Sequence, residues 1–118
     1  MKHLFVCLEG ADGTGKTTIA HALATLLNAA YYKSPTGPFA ECYARLDGKI
    51  DPLTRYFFFR AATQHDSRNI GELLKTGSVV CDRFINTTFV DHATLDERVK
   101  LIHERTGLLV PNTTIVLT

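Results

Sequence analysis

The chain has 118 residues, of which 45% are hydrophobic and 21% are charged, a composition typical of a folded domain and not of a disordered segment. The formal net charge of +1 at pH 7 provides no strong field toward a polyanion, so we predict neither nucleic acid nor a membrane surface as a partner. The length fits a single domain, residues 1–118.

The N-terminus and the cysteines bear on the cellular compartment. The first apolar run, HLFVCLE, is too short for a signal peptide or a membrane span, and no later run approaches about twenty apolar residues. The three cysteines are odd in number and lack the spacing of a metal site. We therefore expect reduced cysteines and a cytoplasmic location.

Strands and helices alternate in the predicted secondary structure. Short apolar runs rich in β-forming residues predict strands at residues 3–9, 29–33, 78–82 and 112–118. Helical periodicity and end signals predict helices at about residues 14–28, 51–77 and 94–107. This alternation indicates an α/β fold with a parallel, doubly wound sheet.

Residues at the helix ends support these assignments. Asp51 can cap the second helix, Pro52 suits its first turn, and Gly77 can end it. Thr94 and Glu97 have the spacing of a capping box for the third helix. The last strand has no covering helix after it, which predicts that the chain is the N-terminal part of a longer domain.

A glycine-rich stretch, GADGTGKT at residues 10–17, lies between the first predicted strand and the first predicted helix. It fits the phosphate-binding pattern G-x-x-x-x-G-K-[ST], in which glycines let backbone amides surround phosphate oxygens. Lys16 would reach the β- and γ-phosphates, and the Thr17 hydroxyl could bind Mg²⁺. The alternative is a chance glycine-rich turn. The residues expected to contact the triphosphate are Gly10, Asp12, Gly13, Thr14, Gly15, Lys16, Thr17 and Thr18.

Further residues of this stretch resemble the thymidylate kinase family, whose pattern is E-G-x-D-G-x-G-K-T-T. Glu9, Asp12, Gly13 and Thr18 match it in addition to the general phosphate-loop positions. The resemblance implies a three-layer P-loop NTPase fold and the ATP- and Mg²⁺-dependent phosphorylation of a nucleoside monophosphate, foremost dTMP to dTDP. It also implies that Asp12 binds the sugar 3′-hydroxyl of the acceptor; the alternative is a simple turn residue.

A second signature, VVCDRF, ends at Phe84 and resembles the family's strand ending in D-R-[YF]. A carboxylate at the carboxyl end of a parallel strand lies where ligands bind, so Asp82 would help hold Mg²⁺ or position the acceptor. Arg83 would neutralise the acceptor phosphate with a bidentate guanidinium. Lys33 lies where the family has the arginine of R-E-P-G, and it either contacts that phosphate or is solvated. We predict Lys16, Asp82 and Arg83 as the catalytic residues.

The helix before this strand departs from the family's F-A-A-D-R-x-Q-H. The corresponding sequence is FFFRAATQH, in which Ala62 occupies the arginine position and Arg60 is the nearest arginine. Arg60 either approaches the acceptor by another route or faces solvent. Phe58 is expected to stack on the acceptor base, whereas Phe57 and Phe59 are expected in the core.

The segment after Arg83 retains hydroxyls at Thr87 and Thr88, and Thr87 is predicted to contact the acceptor. His92, in place of the glutamine of a Tyr-Gln pair, either contacts the acceptor or is a half-buried structural residue. These departures leave open a kinase for another monophosphate or for a deoxynucleoside. A nucleotide-binding regulatory module without kinase activity is a further alternative.

Two more expectations follow from the resemblance alone. Gly13 occupies the loop position at which some members carry a basic catalytic residue, which indicates the type that uses a lid later in the chain. The family also forms homodimers through helices, so a homodimer is expected here.

Overall fold

The computed structural model describes residues 2–118. Within that range the strands are β1 (Phe5–Gly10), β2 (Ala30–Lys33), β3 (Val79–Asp82) and β4 (Thr113–Leu117). The helices are α1 (Lys16–Leu27), α2 (Pro38–Leu46), α3 (Pro52–Leu73), α4 (Ile85–Leu95) and α5 (Arg98–Ile102).

The strands form one parallel sheet, as the sequence predicts. Their order in the sheet is β2-β3-β1-β4. β1 lies between β3 and β4, with Cys7 opposite Cys81 in the register. Because β1 and β3 are neighbours, the segments that follow them leave the same edge of the sheet. The phosphate loop and Arg83 therefore emerge side by side, at the edge where α/β sheets bind ligands.

Side chains alternate between the two faces of β1, and each face packs against helices. Phe5 and Cys7 face a cluster that includes Ile70 of α3. Val6 and Leu8 face the opposite cluster, which contains the small residues of α1. The result is the predicted three-layer arrangement of helices on both sides of a central sheet.

The start of α3 is confirmed, since the Asp51 side chain accepts the Thr54 amide at 3.1 Å and Pro52 occupies the first turn. The helix ends at Leu73, and Gly77 closes the turn that follows, its amide donating to the Leu73 carbonyl at 3.2 Å.

The helix predicted at residues 94–107 is wrong. Thr94 lies in the last turn of α4, where its hydroxyl donates to the Val90 carbonyl at 2.7 Å, so it cannot form a capping box with Glu97. Extended backbone at Asp96 separates α4 from α5, and the Asp96 carboxylate accepts the Arg98 amide at 3.0 Å. Of the predicted range, α5 covers only the middle, and α4 lies almost wholly before it. Helices α2 and α4 were not predicted from the sequence.

Among the helices of residues 2–118, none combines the length and apolar character that crossing a bilayer requires.

Candidate active site

The phosphate loop is built from glycines in left-handed conformations. Gly13 has φ 83° and Gly15 has φ 81°, values that residues with a Cβ rarely adopt. α1 begins directly after Gly15, and no side chain of the described residues caps it, so its first-turn amides are available to an anion. The loop encloses a cavity of about 240 Å³, lined by Ala11, Asp12, Gly13, Gly15, Lys16, Thr17 and Thr18.

Gly10 and Thr14 lie in the predicted loop but do not line this cavity. Gly10 has φ 144°, and a Cβ at this position would lie 2.5 Å from the Leu117 carbonyl oxygen, so glycine is required for β4 to pack closely. The Thr14 hydroxyl donates to the Ala11 carbonyl at 2.8 Å and closes the loop upon itself. Both residues shape the loop.

Asp82 organises the junction between the loop and β3. This buried carboxylate accepts hydrogen bonds at Oδ2 from the Thr17 hydroxyl at 2.8 Å and from the Tyr31 hydroxyl at 2.7 Å. The Lys16 ammonium lies 3.8 Å from Oδ1 and donates to the Gly10 carbonyl at 3.0 Å. Burial and the hydrogen bond to Asp82 raise the pKa of Tyr31. The predicted residues Lys16, Thr17 and Asp82 thus meet.

The Thr17 hydroxyl and the Asp82 carboxylate suit Mg²⁺, which prefers hard oxygen donors and takes its other ligands from phosphates and water in nucleotide sites. Within residues 2–118 no group of three or more His, Cys, Asp or Glu side chains is placed to hold a metal by itself.

A second cavity, of about 300 Å³, adjoins the first. The two share Asp12, Lys16 and Thr17, so ligands in both would meet beside the Lys16 ammonium. The second cavity is lined by Asp12, Lys16, Thr17, Lys33, Ser34, Pro35, Tyr43, Arg55, Phe59, Asp82, Arg83 and Asp91.

Arg83 lines this second cavity, and part of its guanidinium is buried without hydrogen-bond partners. Its backbone has φ 78°, a strained conformation for an arginine, and its amide donates to the Leu8 carbonyl at 2.9 Å. One guanidinium nitrogen, Nη1, lies 3.3 Å from Asp91, while Nε and Nη2 are buried without a partner. Buried unpaired donors are costly, so this guanidinium is suited to a ligand with acceptor oxygens.

Comparison with known proteins agrees with this geometry. The thymidylate kinase family profile matches residues 8–118. The chain is 34% identical to thymidylate kinase of Neorickettsia sennetsu over 129 aligned residues, covering 97% of this chain and 65% of that protein. It is 34% identical over 87 residues to a probable thymidylate kinase of Methanocaldococcus jannaschii, covering 70% of this chain and 46% of the relative.

The chain belongs to the thymidylate kinase family.

Solved structures agree on the fold. A crystal structure of thymidylate kinase from Ehrlichia chaffeensis superposes with a TM-score of 0.75 at 25% identity, covering all of this chain and 73% of that one. The Candida albicans thymidylate kinase gives a TM-score of 0.81 at 22% identity, covering 99% of this chain and 63% of that one. The chain spans 46% to 65% of the length of the curated thymidylate kinases named above.

The structure places Phe58 and Arg60 differently from the sequence-based expectation for a thymidylate kinase. Arg60 donates to the Glu104 carboxylate at 3.0 Å and to the Thr106 carbonyl at 2.8 Å, so it ties α3 to the segment after α5. Phe58 packs against Phe39, with ring centroids 5.6 Å apart. Of the two phenylalanines expected in the core, Phe57 is exposed, whereas Phe59 is buried and also lines the second cavity. Adjacent helical residues face directions about 100° apart, so Phe57, Phe58 and Phe59 have different surroundings.

Thr87 and His92 also contact protein rather than line the second cavity. The Thr87 hydroxyl accepts the Gly10 amide at 3.2 Å and so supports the phosphate loop. His92 is completely buried, more so than the half-buried structural residue that was the alternative to acceptor contact. It lies behind Arg55, whose Nη1 donates to His92 Nε2 at 2.8 Å. Lys33 lines the second cavity.

Three charged residues of the site were missed by sequence reasoning. Arg55 lines the second cavity one helical turn before Phe59, and this i, i+4 spacing was its sequence signal. Glu9 accepts the amides of residues 84, 86 and 87 at 2.8, 2.9 and 2.9 Å and so starts α4. It matched the family pattern, but its role depends on contacts distant in sequence.

The third, Asp66, holds the loop after β2. This buried carboxylate accepts hydrogen bonds from the hydroxyls of Tyr32 at 2.8 Å, Thr36 at 3.1 Å, and Ser34. Burial raises the pKa of Asp66. The loop that it anchors includes Ser34 and Pro35 of the second cavity, so Asp66 helps to set the cavity's shape.

Proposed function

We propose that this chain provides the phosphate loop and acceptor pocket of an ATP-dependent nucleoside monophosphate kinase, with dTMP as the first candidate acceptor. The observation that carries the proposal is the pair of adjoining cavities that share Asp12, Lys16 and Thr17. Transfer of a phosphoryl group from one nucleotide to another requires that their phosphates meet. This arrangement provides two compartments that meet at Lys16.

The first cavity takes the triphosphate of ATP. The loop amides and the α1 N-terminus bind its phosphates, and Lys16 exchanges its contact with the Gly10 carbonyl for phosphate oxygens. Thr17 and Asp82 would hold Mg²⁺, which when bound offsets the charge of the phosphates. Tyr31 keeps the Asp82 carboxylate oriented.

The second cavity takes the monophosphate. The guanidinium of Arg83, which lines this cavity, donates to the acceptor phosphate, and the Asp12 carboxylate accepts a hydrogen bond from a sugar hydroxyl. An oxygen of this phosphate attacks the γ-phosphorus of ATP, the bond from that phosphorus to the β-phosphate oxygen breaks, and ADP leaves with a nucleoside diphosphate as the other product. The protein positions both reactants and balances charge.

The names of the relatives support dTMP as the acceptor. The residues that line the second cavity support a second candidate acceptor. Phe58 and Arg60 do not line the second cavity, whereas Arg55 does. A different monophosphate, or a deoxynucleoside, is therefore the alternative acceptor. The homodimer, the cytoplasmic location, the lid and a single domain at residues 1–118 stay predictions.

The test is calorimetric titration of dTMP, dUMP, UMP, CMP, AMP and GMP into this chain with Mg²⁺ and a non-hydrolysable ATP analogue. We expect selective binding of one monophosphate, which Arg83→Gln abolishes while binding of the ATP analogue is unchanged. Arg68→Gln, an exposed change on α3, is the matched control. Binding of the ATP analogue without any monophosphate would instead support a regulatory nucleotide-binding module.

A further inference from the structure

Arg55 is a cation with neutral partners. Its Nη1 contacts Nε2 of His92 at 2.8 Å, and its Nη2 donates to the Tyr43 hydroxyl at 3.1 Å. Nδ1 of His92 lies 2.6 Å from the Thr88 carbonyl and donates to it, because a carbonyl oxygen can only accept. A guanidinium can only donate, so Nε2 accepts from Arg55 and the imidazole is neutral. None of the ion pairs found in residues 2–118 involves Arg55. Its charge is therefore not offset by a carboxylate partner.

Arg55 and Arg83 lie against the same aromatic ring. The guanidinium carbon of Arg55 is 4.6 Å from the ring centroid of Phe59, and that of Arg83 is 4.9 Å away. Both side chains also line the second cavity. A buried phenylalanine thus supports two planar cations that line one compartment, and an anion bound in that compartment would relieve their mutual repulsion.

The charges in the second cavity are not evenly distributed. Asp82 faces Lys16, and Asp91 faces one nitrogen of Arg83. Two further nitrogens of Arg83 are buried without partners. The lining contains four cations, Lys16, Lys33, Arg55 and Arg83, and three carboxylates, Asp12, Asp82 and Asp91, so one positive charge is in excess and an anion fits the compartment better than a neutral group does.

We propose that Arg55 and Arg83 form a clamp for the phosphate monoester of the acceptor, and that His92 and Tyr43 are positioning residues that hold Arg55 in this clamp. The proposal rests on the proposed function, because the phosphate that the clamp binds is the attacking group. It assigns to Arg55 a phosphate contact rather than a base contact. Two forked guanidiniums can bind several oxygens of one phosphate, whereas the single oxygen of a base carbonyl would engage only one guanidinium.

The experiment compares a nucleotide with its nucleoside. The monophosphate selected by the titration panel, the corresponding nucleoside, and phenyl phosphate are titrated into the wild-type chain, Arg55→Gln and Arg55→Lys. Arg68→Gln, exposed on the same helix, is the charge-matched control. We expect Arg55→Gln to weaken the monophosphate roughly 10- to 100-fold, with a smaller loss for Arg55→Lys. Nucleoside affinity should stay within about twofold, since the lost interaction is with phosphate.

An equal loss of nucleotide and nucleoside affinity would overturn the clamp and assign Arg55 to the base or sugar. Unchanged affinity for both would also overturn it. If the wild-type chain binds no monophosphate, the proposed function fails, and the clamp is then judged by phenyl phosphate alone. Phenyl phosphate binding that Arg55→Gln weakens would support the clamp without the kinase, and no binding would overturn both.

The positioning role is tested with Tyr43→Phe, a change at a half-buried side chain that removes one hydroxyl. We expect a smaller loss of monophosphate affinity, again without loss for the nucleoside, and no additional loss when Tyr43→Phe is combined with Arg55→Gln. His92→Gln, which retains an acceptor for Arg55, should change monophosphate affinity less than Tyr43→Phe does. Full additivity of Tyr43→Phe and Arg55→Gln would show that Tyr43 acts independently of Arg55.

Discussion

The carboxylate of Glu9 accepts the backbone amide of Thr87 at 2.9 Å and joins the end of β1 to the first turn of α4. The same carboxylate binds the amides of Phe84 and Asn86. The negative charge thus occupies the helix N-terminus, where it is favourable. This side chain is one of the links that hold the phosphate loop to the segment that carries Arg83, together with the hydrogen bond from the Gly10 amide to the Thr87 hydroxyl.

Glu9→Gln should destabilise the fold. The amide side chain would turn an NH₂ group toward a backbone donor and remove the charge from the α4 N-terminus, so we expect the free energy of unfolding to fall by about 2 kcal/mol. Urea denaturation followed by circular dichroism measures this. Glu97→Gln, at an exposed position, serves as control. A change in Glu9→Gln no larger than in the control would show that the network contributes little.

Lys16→Ala should abolish binding of the ATP analogue, because Lys16 is the cation shared by both cavities. Fluorescence titration with a labelled triphosphate provides the measurement, and we expect at least about a 100-fold loss of affinity. Lys75→Ala removes a lysine that pairs with Glu72 on the surface and should bind normally. Retained affinity in Lys16→Ala would remove the triphosphate assignment of the loop.

Tyr31→Phe should weaken metal-dependent nucleotide binding. The Tyr31 hydroxyl donates to Asp82 Oδ2, the same oxygen that accepts Thr17, so its loss leaves the carboxylate less firmly oriented. We expect roughly a fivefold loss of ATP-analogue affinity with Mg²⁺ and little change with EDTA. Titrations under the two conditions separate these effects. An equal loss in both would indicate a general disturbance of β2.

His92 should make the protein less stable in acid. Burial lowers the pKa of His92, and the charges of Arg55 and Arg83 lower it further. The unfolded imidazole binds a proton below its ordinary pKa of 6.5, whereas the folded one resists it. The stability that neutral His92 provides is therefore complete above that pH and is lost as the pH falls below it, by up to about 1.4 kcal/mol per pH unit.

Chemical denaturation of the wild type and His92→Gln between pH 5 and pH 7.5, a range of about 2.5 units around the titration of histidine, tests this. The wild type should lose stability more steeply than the variant on acidification. His103, whose pKa burial also lowers, contributes in the same direction to both proteins, and Asp66, whose pKa is raised, contributes in the opposite direction. Equal slopes would show that His92 does not titrate differently on folding.

The sequence alone predicted the features that depend on neighbouring residues. The phosphate loop follows from glycines at Gly13 and Gly15, whose backbone conformations other residues rarely adopt. The sheet follows from apolar strands that alternate with helices, and the start of α3 follows from Asp51 and Pro52. In each case the physical cause acts within a few residues of the chain, where a pattern can record it.

Tertiary structure decided the features whose partners are far apart. α4 begins where Glu9 supplies acceptors from β1, a contact that no local cap signals. Arg60 was a candidate for the acceptor site because it is the arginine nearest to the family's position. In the folded chain it forms an ion pair with Glu104. Which phenylalanine faces the second cavity depends on the rotation of α3 against the sheet. Long-range packing sets that rotation, and thereby it selected Phe59 and brought Arg55 into the site.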